Sequence, residues 1–114
     1  MTLTFDNDGD SLHWEPGAAL PANRIAALKE AHSRGIPTRV SCEPVIVPAQ
    51  TLNLIESTYE FVEFFWVGKL NHNAKLERTI DWPKFRREAE ATLQKRGKQP
   101  GMGYRMKRKL IEAM

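Results

Sequence analysis

IPTRVSCEPVIVPAQTLNLIESTYEFVEFFWVGK, residues 36–69, decides the fold. IPTRVSC, residues 36–42, is short and β-branched and reads as a strand. A helix begins near Pro48 and runs through TLNLIESTYEF, with Leu52, Ile55 and Tyr59 at helical spacing. EFFWVGK, residues 63–69, is a near-continuous apolar and β-branched run, the pattern of a strand covered on both faces. Phe64, Phe65 and Trp66 are accordingly expected in the core rather than on a stacking surface. Strand, helix and strand joined by short links make a parallel unit with a right-handed crossover.

The pattern extends in both directions. Upstream, TLTF at residues 2–5 alternates polar and apolar and predicts a short strand, with Asp6 after it and the turn-rich NDGDS closing it. Pro21 suits a first helical position, and the helix that follows turns Ile25, Leu28 and His32 to one side before Gly35 caps it. Downstream, a polar loop LNHNAKLERT leads to Asp81 as an N-cap with Pro83 just inside. Trp82, Phe85, Ala89 and Leu93 form the buried stripe of that helix, and Gly97 ends it. Residues 98–114 are harder to read; GYRMKRKLIEAM allows a fourth strand around Tyr104 followed by a helical turn.

The expected fold class is therefore α/β, with about four parallel strands alternating with three or four helices in a single domain over residues 1–114. An open doubly wound sheet and a piece of a (β/α) barrel both fit. Neither G-x-G-x-x-G nor G-x-x-x-x-G-K-[ST] occurs, so the usual phosphate-binding signature of a nucleotide fold is missing.

At 114 residues and 41% hydrophobic content the chain can bury roughly 65% of its unfolded surface in one core without covalent staples. Its single cysteine, Cys42, excludes an intrachain disulfide and a thiolate-built metal site, and fits a reducing cytoplasm. Cys42 reads as a small apolar packing residue. His13, His32 and His72 lack ligand spacing, so no metal site is expected. No stretch approaches the ~20 apolar residues of a membrane span, and no membrane partner is expected.

The net charge of +3 hides a division. Residues 1–74 carry five Lys/Arg against nine Asp/Glu, and residues 75–114 carry twelve against five. Arg105, Lys107, Arg108 and Lys109, with Lys98, would contact phosphate if nucleic acid is a partner; a flexible basic tail has the same composition.

In both architectures ligands meet the carboxyl ends of the strands. Asp6, Ser41, Glu43, Lys69 and Asn71 are therefore the candidate cofactor- or substrate-binding residues, with His72 and Lys107 at the same level. A carboxylate, a lysine and an amide on one rim suit a polar, partly anionic ligand. Against this, Glu43 reads equally as a solvated loop residue, and a structural Glu43–Lys69 ion pair explains the same two side chains.

Several ordered motifs resemble those of a known family: W-E-P-G-A followed by P-x-x-R, G-I-P-x-x-V-S-x-E-P-V-I, V-G-K-L-N and I-D-W. They are similar to the C-terminal half of radical S-adenosylmethionine proteins related to spore photoproduct lyase, a group often described as DNA repair photolyase-like. The resemblance covers nearly the whole chain. It implies a partial (β/α)6 barrel of which this chain supplies the later units, and a rim in which Glu43, Lys69 and Asn71, with Ser41 and Asp6 behind them, help seat S-adenosylmethionine and shape the substrate opening. Glu15 and Arg24, within the W-E-P and P-x-x-R motifs, are read as a structural pair.

Members of that family hold a [4Fe-4S] cluster through C-x3-C-x2-C, and this chain has no such motif. The resemblance therefore implies a truncated product or separated domain that binds no cofactor alone and is inactive alone. No catalytic residue is assigned. A halved barrel exposes edge strands and an apolar inner face, so a homodimer or an N-terminal half-barrel partner is expected. The alternative is a non-catalytic half-barrel module that binds a protein or nucleic acid.

Overall fold

A computed structural model describes residues 1–69 and 73–113. Three parallel strands, β1 (Arg39–Val45), β2 (Phe64–Lys69) and β3 (Tyr104–Met106), lie side by side in chain order. Helices α1 (Asp8–Trp14) and α2 (Pro21–Ser33) precede β1, and α3 (Pro48–Thr58) joins β1 to β2. The short α4 (Ala74–Glu77) and the long α5 (Trp82–Lys95) join β2 to β3, and α6 (Arg108–Ile111) follows. A mixed α/β fold with a parallel sheet is thus present, with three strands among the described residues where about four were expected.

The fourth is residues 2–5. They make one parallel bridge, Thr2 to Ser41, supported by Leu3 N–H donating to Ser41 O at 2.9 Å and Ser41 N–H donating to Met1 O at 2.7 Å. The chain then leaves the sheet, because Asp6 N–H donates instead to Gln50 Oε1 of α3 at 2.9 Å. Leu3, Thr4 and Phe5 are nonetheless buried.

Sequential order fixes which side the helices take. Right-handed crossovers between successive neighbours place each connecting helix on the same side of the sheet. The core agrees: Val40, Cys42, Phe65, Val67, Tyr104 and Met106, which alternate along the strands, cluster with Leu28 of α2, Leu54 and Ile55 of α3, Phe85, Ala89 and Leu93 of α5, and Leu110 of α6. The other face presents Arg39, Ser41, Phe64, Trp66 and Arg105, none of them buried. Phe65 is core as expected, but Phe64 and Trp66 are not, because β2 is covered on one face only.

Local chemistry places the helices. Asp81 accepts from Lys84 N–H at 3.0 Å at the start of α5, and Trp82, Phe85, Ala89 and Leu93 are buried in the predicted stripe. Helix α1 stands where a closing turn was expected. Asn7 caps it by accepting Asp10 N–H at 2.9 Å, and Asp8 and Asp10 in the first turn complement the helix dipole. One turn of helix, α4, interrupts the expected polar loop under a cap from Asn73. His32 is exposed, not turned inward with Leu28, and Ile36 is 52% exposed because β1 starts only at Arg39.

Arg24 ties the N-terminal segment down. Its Nη2 donates to Glu15 Oε2 at 2.6 Å, Nη1 to Thr2 O at 2.8 Å and Nε to Ala19 O at 2.7 Å, with only 11% of the side chain exposed. A lysine cannot span three divergent acceptors from one nitrogen at that reach. Arg24→Lys is therefore expected to lower unfolding free energy by about 1–2 kcal/mol, read from the urea midpoint. An unchanged midpoint would show that the three bonds contribute nothing.

Candidate functional site

The residues that share the open face form rows across the strands. Arg39 pairs in register with Phe64, and Ser41, Trp66 and Arg105 lie opposite one another on β1, β2 and β3. Side chains alternate between faces along a strand, so Arg39, Ser41 and Glu43 share a side with Phe64, Trp66 and Gly68. The Phe64 and Trp66 rings are 5.3 Å apart, tilted by 54°. Cations sit against both: Arg39 is 5.9 Å from the Phe64 centroid, and Arg105 and Lys107 are 5.6 and 4.9 Å from Trp66. Each such contact is worth about 0.5–1 kcal/mol at an exposed site, which is how two large rings remain on an uncovered sheet face.

Glu43 occupies the carboxyl end of this face. It was expected past the strand; it lies within β1, at an irregularity where three steps from Cys42 to Val45 face two steps from Val67 to Lys69. The Glu43–Pro44 peptide is cis. The extra residue turns Val45 into the core, where it is fully buried, and leaves Glu43 half-buried over Gly68. A Cβ on residue 68 would come within 2.7 Å of Glu43 Cδ and 2.8 Å of its Cγ and Oε2. Glycine is thus the space in which the Glu43 side chain lies. Lys107 Nζ reaches Glu43 Oε2 at 3.6 Å, with 44% and 36% of the two side chains exposed. An ion pair this open contributes ~0–1 kcal/mol.

Lys69 does not join Glu43. One residue beyond Gly68 it points to the opposite side, where its ammonium pairs with Glu77 of α4 and lies 5.5 Å from the Trp82 ring. Trp82 Nε1 donates to Glu77 O at 3.0 Å and holds that corner together. The expected Glu43–Lys69 pair is replaced by Glu43–Lys107 and Lys69–Glu77, because strand alternation separates 43 from 69. Asn71 and His72 lie outside the described residues.

Asp6 is bonded to the start of α3. Its carboxylate accepts from Asn53 Nδ2 at 3.1 Å and Asn7 Nδ2 at 3.3 Å, while Gln50 Nε2 donates to Asp10 Oδ2 at 2.7 Å. These bonds clamp the start of α1 onto α3. Hydrogen bonds from Gln50 and then Asn7 hold the Asp10 carboxyl below the usual aspartate range. Ser41 remains on the open face beside Trp66, and Glu15 and Arg24 form the pair described above, behind the sheet edge.

Of the five expected phosphate contacts, Arg105 faces the open side and Lys107 reaches Trp66 and Glu43, while Arg108 pairs with Glu112 at 2.7 Å, Lys109 is exposed and Lys98 Nζ donates to Val62 O at 2.6 Å. Arg105 sits on β3, Lys107 is the N-cap of α6, and Arg108 and Lys109 lie in that helix, which fully buried Leu110 anchors. Arg39, Trp66 and Gly68 were not read as site residues. The available signal was the alternation R-V-S-C-E and F-F-W-V-G, in which every second position belongs to the open face.

Cys42 Sγ is on the core face, fully buried, and burial pushes its thiol up to about 12. A [4Fe-4S] cluster needs three or four thiolates, so the donor set of this chain does not fit that group. Among the described residues no helix is long and apolar enough to cross a membrane. No family model, curated protein or solved structure matches the chain.

Two outcomes follow from this geometry. Gly68→Ala should destabilise the chain by about 1–2 kcal/mol through overpacking, and Glu43→Ala in the same chain should restore most of that loss; additive losses in a double-mutant cycle would refute the contact. The Asp10 bonds stabilise the fold above the ordinary aspartate range and lose that effect as pH falls through the depressed value. The gap in thermal midpoint between wild type and Gln50→Ala should accordingly narrow on acidification, and a gap constant to below pH 3 would refute the assignment.

Proposed function

We propose that this chain is the C-terminal β/α portion of a radical S-adenosylmethionine protein of the spore photoproduct lyase, or DNA repair photolyase-like, type. Its open sheet face would form part of the inner wall of a barrel completed by another polypeptide segment. Parallel strands in sequential order with helices on one side are the arrangement of a barrel arc, whose uncovered side faces the cavity. The observation that carries this reading is Glu43, held over Gly68 at the carboxyl end of that face beside Lys107 and Trp66.

On this reading the chain binds and orients; it supplies no cluster ligands. Glu43 offers a carboxylate to a cationic or hydroxyl-bearing ligand group, and Lys107 and Arg105 offer donors to a carboxylate or phosphate. Alone, in a reducing cytoplasm, it is inactive.

The test joins the chain to a polypeptide carrying C-x3-C-x2-C and measures S-adenosylmethionine binding by calorimetry. Glu43→Ala and Lys107→Ala should each weaken binding roughly tenfold, about 1.4 kcal/mol. Equal affinities would overturn the reading, as would one cluster per chain after anaerobic reconstitution of the isolated chain with iron and sulfide.

A second reading is favoured by one observation, the half-buried Trp66 ring on the open face beside Arg105, Lys107 and Phe64. Aromatic rings among cations are how sequence-tolerant single-strand binders stack bases and neutralise phosphates. An oligothymidine affinity that falls steeply with salt, and that Trp66→Ala weakens, would favour this non-catalytic module over the first reading.

A further inference from the structure

The open face carries Arg39, Arg105 and Lys107 against one carboxylate, Glu43, around two partly exposed rings. The opposite charge is concentrated elsewhere in the same chain. Between Met1 and Arg24 there is no Lys or Arg side chain, and Asp6, Asp8, Asp10 and Glu15 lie in or next to α1. That helix also exposes apolar surface: Leu12 is 55% and Trp14 40% exposed. Asp8 and Leu12, four residues apart, share one flank of it.

We infer that, in the chain not joined to a barrel-completing segment, the acidic, apolar outer surface of α1 in one copy docks on the cationic aromatic sheet face of a second copy. Trp66 and Phe64 would cover Leu12, and Arg105 and Lys107 would meet Asp8. Among the described residues no ion pair or ring contact joins α1 to the open face of its own chain. Asp6 and Asp10 bind Asn53 and Gln50 of α3, and Leu54 and Ile55 of that helix pack on the opposite side of the sheet. A chain's own α1 is therefore tied to its own α3. Direct stacking of two open faces is disfavoured because cations would oppose cations. Reciprocal docking of α1 on the partner's face closes a two-fold dimer and uses each complementary surface once. Both surfaces carry charge at their margins, so association depends on salt: raising ionic strength screens the exposed pairs.

Sedimentation equilibrium of the full chain tests the proposal. At about 100 μM protein and low salt the mass should approach twice the 13.0 kDa of one chain, and it should fall toward one chain at about 0.5 M salt. Asp8→Lys alone and the Arg105→Glu/Lys107→Glu pair alone should each weaken dimerisation roughly tenfold or more. A mixture of the two charge-reversed chains should recover a heterodimer in which both contacts are complementary, one with its charges exchanged and one as in the wild type. Leu12→Ala removes apolar contact at an exposed position that the fold does not need, and should also shift the equilibrium toward monomer; circular dichroism verifies that each variant is folded. A wild type that stays monomeric at all concentrations overturns the inference. So does a dimer indifferent to all three substitutions, which would indicate pairing of sheet edges, and so does an increase in mass that requires added oligonucleotide.

Discussion

A single topological constraint orders the molecule: each strand lies beside the one that precedes it, and each is parallel to it. Once successive strands are neighbours, the right-handed crossover sends α3 and α5 to the same side. The sheet is then obliged to have two unlike faces. One takes alternate apolar residues from Val40 to Met106 into a core shared with α2, α3, α5 and α6. The other has no helix to cover it and must be populated by side chains that tolerate water. Arg39, Ser41, Glu43, Arg105 and Lys107 meet that requirement directly. Phe64 and Trp66 meet it through the cations laid against them.

The irregularity at Glu43 and Pro44 belongs to the same logic. Without it, alternation would direct residue 44 into the core and Val45 outward. With one extra residue in β1, Val45 completes the buried face and Glu43 lies across Gly68. The helix side and the open side are thus both satisfied at the end of one strand. The N-terminal clamp from Asp6 and Asp10 to α3, and the Arg24 bonds to Thr2, Ala19 and Glu15, then tie the N-terminal segment to α3 and α2. The Glu56–Arg96 ion pair joins α3 to α5 on the helical side.

The β/α alternation was legible because each element carried its own punctuation: Pro48 ahead of α3, Asp81 and the Trp82, Phe85, Ala89 and Leu93 stripe in α5, Gly35 and Gly97 after their helices. The alternation in R-V-S-C-E, which marks one polar side of β1, was the signal that went unused. What could not be read was which neighbours those polar residues would meet. Phe64 and Trp66 looked like core because the cations laid against them come from elsewhere in the chain: Arg39 against Phe64 from β1, and Arg105 and Lys107 against Trp66 from about forty positions further on. Glu43 and Lys69 looked like partners because both follow strands; alternation about Gly68 sends them to opposite sides. Helix α1 was hidden behind Gly9 and the turn-forming residues of NDGDS, although Asn7 and Asp10 already had the spacing of a cap.

The placement of the three tryptophans has an optical consequence. Trp82 is buried against Phe85, and Trp14 stands on α1. Trp66 alone of the three lies on the open face, with two cations within 6 Å of its ring. Near-UV absorption and emission from that indole depend on the charge field at its ring and on access of water to it. The open face therefore carries a built-in chromophore, and a chain in which Trp14 and Trp82 are replaced by Phe would signal any covering of that face without a label.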